Sequence, residues 1–233
     1  MREIIFDTET TGFDPLSGDR MVEIGCIEMV GRVMTGRTYH AYFNPERDMP
    51  SAAEQVHGLS TKFLSDKPLF SAKAAELLEF LSDAPLVAHN AGFDFGFLNM
   101  ELQRCGQSAV SMDRMVDTIA IARVRHPGAK LSLDALCTRY GIDRSHRVKH
   151  GALLDAELLA HLYIELTGGR QIGLGLGSEV EADMEGDSSG KSAVEREYRA
   201  PRPHTASEAE LTRHKEFIGT ITDAVWNDSG SSR

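Results

Sequence analysis

The sequence predicts a layered α/β or α+β fold, in which helices cover a mixed β-sheet. Strand-like and helix-like patterns alternate up to about residue 169, and three strand candidates precede the first long helix. The chain has 233 residues, of which 41% are hydrophobic and 26% are charged, so it can bury a substantial globular core.

The strand candidates are short apolar or β-branched runs, namely 3–7, 21–30, 35–43 and 85–90. Short polar or glycine-containing links join the first three, which predicts an antiparallel meander. The helix candidates are 51–56, 71–82, 94–104, 117–125, 132–140 and 152–166. Ser71, Asp117 and Ser132 are placed to cap three of them.

Composition limits the function classes. The net charge of −10 disfavours a free-standing nucleic-acid binder, because phosphate contacts need Lys and Arg. It leaves room for an enzyme whose acids hold metal ions, or one delivered to its substrate by a partner. Three widely spaced cysteines argue against a disulfide framework and a thiolate zinc site. With no apolar run of membrane-spanning length and no signal-peptide pattern, we expect a cytoplasmic protein.

The character of the chain changes at Gly168-Gly169. Residues 178–190 hold five acids, no base and no aromatic residue, which predicts a disordered linker. Residues 207–226 then regain a capped, partly apolar helical pattern. A docking peptide and a frayed terminus are both open interpretations of that segment.

The first candidate for chemistry is the pair Asp7 and Glu9, at the end of the first predicted strand. Residues i and i+2 of a strand point to the same face, so both carboxylates can be directed at one point. Two such anions repel each other unless a cation lies between them, and hard divalent metals prefer oxygen ligands. The alternative is that both acids face solvent at a turn.

The second and third candidates are "HNAGFDFGFL" (89–98) and "HGALLDAELL" (150–159). Asp94 lies near a predicted helix start, where it serves either the helix dipole or a site. His150 precedes another helix, and Asp155 lies about one turn inside it on an otherwise apolar face. Because a lone buried carboxylate is costly, Asp155 should have a cation partner.

Together, "FDTETTG", "HNAGFDFGFL" and "HGALLDA" resemble, in order, the three motifs of the DEDDh family of 3′→5′ exonucleases. The resemblance implies a ribonuclease-H-like fold with a mixed five-stranded sheet and an exonuclease domain over 1–170. It implies two Mg²⁺ or Mn²⁺ ions held by Asp7, Glu9, Asp94 and Asp155. Asp7 would bridge both ions, and His150 would act as general base in releasing nucleoside 5′-monophosphates from a DNA 3′ end.

By position, the resemblance also implies substrate contacts from Thr10, His57, Asn90 and Phe93. His57 and Phe93 are flat groups able to stack on terminal bases, as suits sequence-neutral binding of frayed single strands. Two structural alternatives remain open: His57 caps a helix end before Gly58, and Phe93 belongs to the core.

Residues 52–60, 157–171 and, more weakly, 205–218 resemble the proofreading members of this family that accompany replicative DNA polymerases. This implies that 207–233 docks on the polymerase catalytic subunit and that 171–206 is a flexible acidic linker. Residues 171–176, from Gln171 to Leu176, form a candidate sliding-clamp peptide, and a small accessory subunit is a further candidate partner.

Two rival functions remain. A DEDDh ribonuclease that trims RNA 3′ ends would carry the same five residues, although such enzymes usually stop near the end of the domain. A catalytically idle adapter would keep the fold for assembly alone.

Overall fold

A computed structural model describes residues 1–145, 149–169 and 205–222. The chain divides into two compact units, Met1–Leu176 and Gly177–Arg233. None of the helices formed by the described residues has the length and apolarity needed to cross a membrane.

The first unit is built on a mixed five-stranded sheet, which confirms the predicted fold class. The strands are β1 (Arg2–Thr10), β2 (Met21–Val30), β3 (Val33–Tyr42), β4 (Leu86–Ala88) and β5 (Met115–Asp117). Their spatial order is β3-β2-β1-β4-β5; β1 pairs antiparallel with β2, β2 antiparallel with β3, and β4 lies parallel to both β1 and β5. The antiparallel meander is therefore also confirmed. Strand β5 was not among the predicted strands, because it has three residues and runs directly into a helix.

Helices cover both faces of this sheet. They are α1 (Ser51–His57), α2 (Thr61–Leu64), α3 (Phe70–Leu81), α4 (Ala91–Arg104), α5 (Thr118–Arg125), α6 (Leu133–Tyr140) and α7 (Ala152–Leu166). Asp117 and Ser132 cap α5 and α6 as predicted, each accepting a hydrogen bond from a backbone N–H of the first turn. The prediction that Ser71 caps a helix is wrong, since α3 begins at Phe70, after Leu69, and has no side-chain cap.

Helix α4 begins at Ala91, three residues earlier than predicted. Asn90 precedes it with φ of 66°, in the left-handed region. The backbone N–H groups of Asn90 and Ala91 donate to Oδ1 of Asp117, at 3.1 and 3.4 Å. A residue distant in sequence therefore accepts the hydrogen bonds of the free backbone N–H groups at this helix start. No local sequence pattern predicts this interaction.

Successive side chains of β1 point to opposite faces of the sheet, and the core forms a cluster on each face. Ile4 and Phe6 pack in the cluster that includes residues of α3 and α4, whereas Ile5 packs in the one that includes residues of α5, α6 and α7. By the same alternation Asp7 and Glu9 continue the face of Ile5, towards α7, and Thr8 continues the opposite face.

Helix α7 approaches the sheet very closely at Gly25. Gly25 is the β2 partner of Asp7, and a Cβ placed on it would lie 2.3 Å from the backbone of Leu153 and 2.4 Å from that of Ala152. A side chain at position 25 would therefore separate the first turn of α7 from the sheet. This contact fixes the height of that turn above β1 and β2.

The second unit contains helix α8 (Glu208–Gly219), so the predicted capped helix is present. Ser207 and Glu210 form a capping box: the Ser207 backbone N–H donates to Oε2 of Glu210 at 2.8 Å, and the Glu210 N–H donates to the Ser207 hydroxyl. The predicted clamp peptide 171–176, the acidic stretch 178–190 and the final residues 223–233 lie outside the described residues.

Candidate active site

The site forms where the end of β1 meets the start of α7. Asp155 is the fourth residue of α7, and its side chain is buried. Its Oδ2 lies 3.1 Å from Nδ1 of His150, which is about half exposed. Ligand atoms of Glu9, His150 and Asp155 all lie within 4.8 Å of one another. The structure thus brings together groups separated by more than 140 positions of sequence.

The loop that carries His150 rests on the end of α1. The backbone N–H of His150 donates to the carbonyl of Val56 at 3.4 Å. The side chain of Lys149 passes so close to Gly58 that a Cβ there would lie 2.7 Å from its Cδ. Gly58 has φ of 80°, which a glycine adopts without strain. Helix α1 therefore supports the loop of the candidate general base.

Asp94 approaches from the other face of β1. Its side chain is 3% exposed, and its Oδ1 accepts a hydrogen bond of 2.8 Å from the Thr8 hydroxyl. Burial raises the pKa of the Asp94 carboxyl to about 7, with the hydrogen bond from Thr8 opposing the rise and the charge of Asp117 adding to it. Asp94 is outside the cluster of Glu9, His150 and Asp155, and Thr8 connects it to the strand that bears the other acids.

The contributions of Thr8 and of Asp117 to the site were not predicted from the sequence. Asp117 accepts from the backbone of Ile119 at 3.0 Å in addition to its bonds at the start of α4, so one carboxylate holds the beginnings of two helices. Strand alternation could have placed Thr8 on the face of Asp94, but the pairing across the layers required the fold.

Two cavities beside the clustered side chains are lined in part by residues of β1. The first, about 540 Å³ in volume, is lined by Asp7, His89, His150 and Asp155 together with residues of α5, of the start of α6 and of the connection between these helices. The second, about 460 Å³, is lined by the run from Thr8 to Asp14, by residues of α1 and by Phe93. Asp7 and Glu9, two residues apart on one strand, thus border different cavities.

Three of the four predicted substrate contacts, Thr10, His57 and Phe93, line the second cavity. Asn90 is exposed at the start of α4 and lies outside the lining of both cavities. The Thr10 hydroxyl is engaged in a hydrogen bond of 2.6 Å to the carbonyl of Gly12. Phe93 is partly buried and packs against Phe97 at a ring distance of 4.9 Å, so it serves both core and cavity.

His57 also has a structural role at the end of α1. It is the last residue of that helix, and its Nδ1 accepts a hydrogen bond of 3.0 Å from the backbone of Leu59. Its Nε2 is buried as well. Burial lowers the pKa of His57, which favours the neutral ring. The neutral ring of His57, held by the backbone of Leu59, is suited to contact with a base or sugar.

The donor set fits a hard divalent cation. Two carboxylates and an imidazole present their ligand atoms within one small sphere, and Asp7 adds a carboxylate to the adjoining cavity. Carboxylate oxygens are the ligands that Mg²⁺ and Mn²⁺ prefer, and the described residues include no cysteine in this cluster.

The order of this mixed sheet, with acids and a histidine gathered at the end of its first strand, defines a nuclease of the ribonuclease-H-like fold. The sequence model of the Exonuclease family, RNase_T, matches residues 4–163. Relatives named DNA polymerase III subunit epsilon match almost end to end. That of Rickettsia felis is 48% identical over 225 residues, covering 95% of this chain and 97% of the relative.

The Escherichia coli K12 protein of the same name is 38% identical over 227 residues, covering 94% of this chain and 93% of its own length. The chain therefore belongs to the exonuclease family and, within it, to the epsilon subunits of DNA polymerase III. This confirms the resemblance found in the three sequence motifs.

Solved structures share the fold at lower identity. Exonuclease X in complex with 5′ overhanging duplex DNA aligns with a TM-score of 0.56 and 24% identity, over 70% of this chain and 90% of that one. Exonuclease I of E. coli in complex with a dT13 oligonucleotide aligns with a TM-score of 0.64 and 18% identity, over 72% and 41%.

Proposed function

We propose that this chain is the 3′→5′ proofreading exonuclease of a replicative DNA polymerase, removing mispaired 3′-terminal nucleotides as 5′-monophosphates. One observation carries the proposal: Glu9, His150 and Asp155 converge within 4.8 Å beside a cavity that Asp7 also lines. The nearly full-length likeness to epsilon subunits supports DNA, rather than RNA, as the substrate.

Four carboxylates, Asp7, Glu9, Asp94 and Asp155, would hold two divalent cations, Mg²⁺ or Mn²⁺. Bound there, the cations would lower the pKa of a coordinated water and neutralise charge on the leaving 3′ oxygen. Glu9 and Asp155 are already adjacent, so their mutual repulsion favours cation binding. Thr8 fixes the orientation of Asp94 from behind the strand.

His150 would accept the proton of the attacking water. It lines the first cavity and is about half exposed, so its ring can take a proton from the cavity and return it to solvent. Histidine is the side chain that most often serves as a general base. Its bond to Asp155 and the support of its loop by Val56 keep the ring at the site.

The second cavity would take the 3′-terminal nucleoside. Thr10, His57 and Phe93 line it, and the aromatic face of Phe93 suits stacking without base readout. A mispaired primer end unpairs more readily than a matched one, so the energy of melting would select the substrate. Asn90, at the start of α4, would contact the strand outside this cavity.

We further propose the division 1–170 for the exonuclease domain, 171–206 for an acidic linker and 207–233 for a polymerase-docking segment. The capped helix α8 supports an ordered docking element in the last segment. Residues 171–176 would bind a sliding clamp, and a small accessory subunit would complete the assembly. In this arrangement the polymerase would supply most of the contacts to DNA phosphates, since the net charge of −10 disfavours strong DNA binding by this chain alone.

A primer-trimming assay tests the activity. The full-length chain with Mg²⁺ or Mn²⁺ should shorten a 5′-labelled DNA primer one nucleotide at a time from its 3′ end, and faster when the end is mispaired. The Asp155→Asn variant is the matched inactive control. Intact primers under all metal conditions would contradict the nuclease assignment, and preferential trimming of an RNA primer would favour the ribonuclease alternative.

Co-purification tests the partnership. The full-length chain should retain a replicative polymerase catalytic subunit, and a chain ending at residue 206 should lose it while still trimming primers. Equal retention by both chains would place the docking surface elsewhere.

A further inference from the structure

The first cavity has a cationic wall that the proposed chemistry has not used. Helix α5 presents Ile119 and Arg123, one helical turn apart, to the same cavity that Asp7, His150 and Asp155 line. Among the described lining residues Arg123 is the only permanent cation. The other charged residues of the lining are acids, so the positive charge of Arg123 marks the place where an anionic ligand would bind.

Arg123 is exposed and available for such a ligand. Within the part of the chain that the structure describes, it has no hydrogen-bond or ion-pair partner. Asp134, an acid that lines the same cavity, is paired with Arg144 at 2.7 Å. The guanidinium therefore offers its donors to whatever enters the cavity, and its planar fork matches a phosphate.

The two cavities define the direction of the strand. If the 3′-terminal nucleoside occupies the cavity beside Glu9, Thr10 and His57, the scissile phosphate lies at the carboxylates. The remainder of the strand must then leave on the other side, through the cavity beside Asp7. That cavity, of about 540 Å³, has the size of an ordinary small-ligand site.

We infer that Arg123 binds the backbone phosphate immediately 5′ to the scissile one, and so holds the departing strand in register. This inference rests on the proposed exonuclease function. Arg123 is therefore a substrate-binding residue for this reaction. It contributes to the affinity only for substrates that have a second phosphate.

Comparing two substrates separates the binding role of Arg123 from a role in phosphodiester hydrolysis. The Arg123→Gln variant should raise KM for single-stranded oligonucleotides roughly tenfold, the effect of losing one charge-assisted phosphate contact, with little change in kcat. Hydrolysis of a 4-nitrophenyl ester of thymidine 5′-monophosphate, which has one phosphate, should be unchanged. Arg125→Gln is the matched control, because it removes the same charge from an exposed position of the same helix outside the cavity.

A neutral phosphate identifies the contact. An oligonucleotide with a methylphosphonate at the linkage next to the scissile one should lose as much affinity for the unaltered protein as Arg123→Gln loses for the normal strand. Combining the two changes should cause no further loss. Losses that multiply would show that Arg123 does not bind that phosphate and would overturn the inference.

Binding supplies a readout apart from turnover. By fluorescence anisotropy with Ca²⁺ in place of Mg²⁺, Arg123→Gln should reduce the slope of log K against log salt by about 0.7, as expected for one fewer phosphate on a single strand. If Arg123→Gln and Arg125→Gln behave alike on all substrates while the unaltered protein trims DNA, the inference fails and the proposed function stands. If the unaltered protein trims nothing, the proposed function itself has failed.

Discussion

The Thr8 hydroxyl donates a hydrogen bond of 2.8 Å to Oδ1 of the buried Asp94. Thr8 stands between Asp7 and Glu9, and its side chain points to the opposite face of β1. One strand therefore presents two carboxylates to α7 and holds a third, on α4, from the other side. The position of Asp94 relative to the other acids depends on this bond.

Replacing Thr8 by valine should lower exonuclease turnover at least tenfold and reduce stability by about 1–3 kcal/mol. Valine keeps the branched shape but removes the donor, so the buried carboxylate loses a hydrogen bond. Turnover and thermal midpoints measure the two effects. The matched control is Thr8→Ser, which keeps the hydroxyl and should recover most of the activity. Equal activity of the valine and serine variants would contradict the positioning role.

Replacing Asp94 by asparagine should make the metal-free protein more stable than the unaltered protein, by a margin that grows as the pH rises. The folded carboxyl has a pKa raised to about 7 from 3.8, so between these values the folded state binds more protons than the unfolded state. Stability from this group therefore falls as the pH rises through that window. The variant should nearly match the unaltered protein near pH 4 and exceed it at pH 8, by an amount on the order of 4 kcal/mol.

Thermal unfolding in EDTA across this pH range measures the difference. A stability gap that does not change with pH would show that the burial of Asp94 is not the cause. The same variant should be a poor nuclease, because an amide is a weaker metal ligand than a carboxylate.

Replacing Asp155 or Asp7 by alanine should abolish nuclease activity while the fold persists. Both side chains would be metal ligands, and their removal leaves the remaining carboxylates unable to hold the cations. Primer trimming and circular dichroism measure activity and fold. Glu157→Gln, an exposed change on the same helix as Asp155, is the control and should stay active. Activity above a few per cent in the alanine variants would refute the metal assignment.

Replacing His150 by alanine should lower turnover strongly and leave Mn²⁺ binding largely intact. The ring would act as the base, and the cations would rest chiefly on the carboxylates. Rates measured from about pH 6 to 9 test the first part, and calorimetric Mn²⁺ titration tests the second. A variant whose rate matches that of the unaltered protein across this range would remove the general-base role.

Replacing Gly25 by alanine should destabilise the protein by about 1–3 kcal/mol and reduce activity further than stability alone explains. The added Cβ would meet the backbone of Leu153 and lift the turn that carries Asp155. Thermal midpoints and turnover below the transition measure both effects. The control is Gly96→Ala in α4, where the nearest atom lies 3.9 Å away and alanine favours the helix. Similar outcomes at both glycines would contradict the close-approach argument.

The sequence by itself determined much of this protein. Alternating strand and helix patterns predicted the mixed sheet, and Ser132 and Ser207 marked helix starts correctly because capping is a local interaction. Two acids at the end of a strand pointed either to a bound cation or to solvent, and a lone acid on an apolar helix pointed to a cation partner, since buried charge needs one. That these acids share one metal site came from the family resemblance and stays a prediction. These inferences depend on neighbours in the chain.

Only the tertiary structure decided the rest. The start of α4 depends on Asp117, the height of α7 on Gly25, and the orientation of Asp94 on Thr8, each a contact between segments far apart in sequence. The strand periodicity of two and the helical period of 3.6 determine which way a side chain points. They do not determine what it meets, because that depends on how layers pack, and packing is set by the whole core.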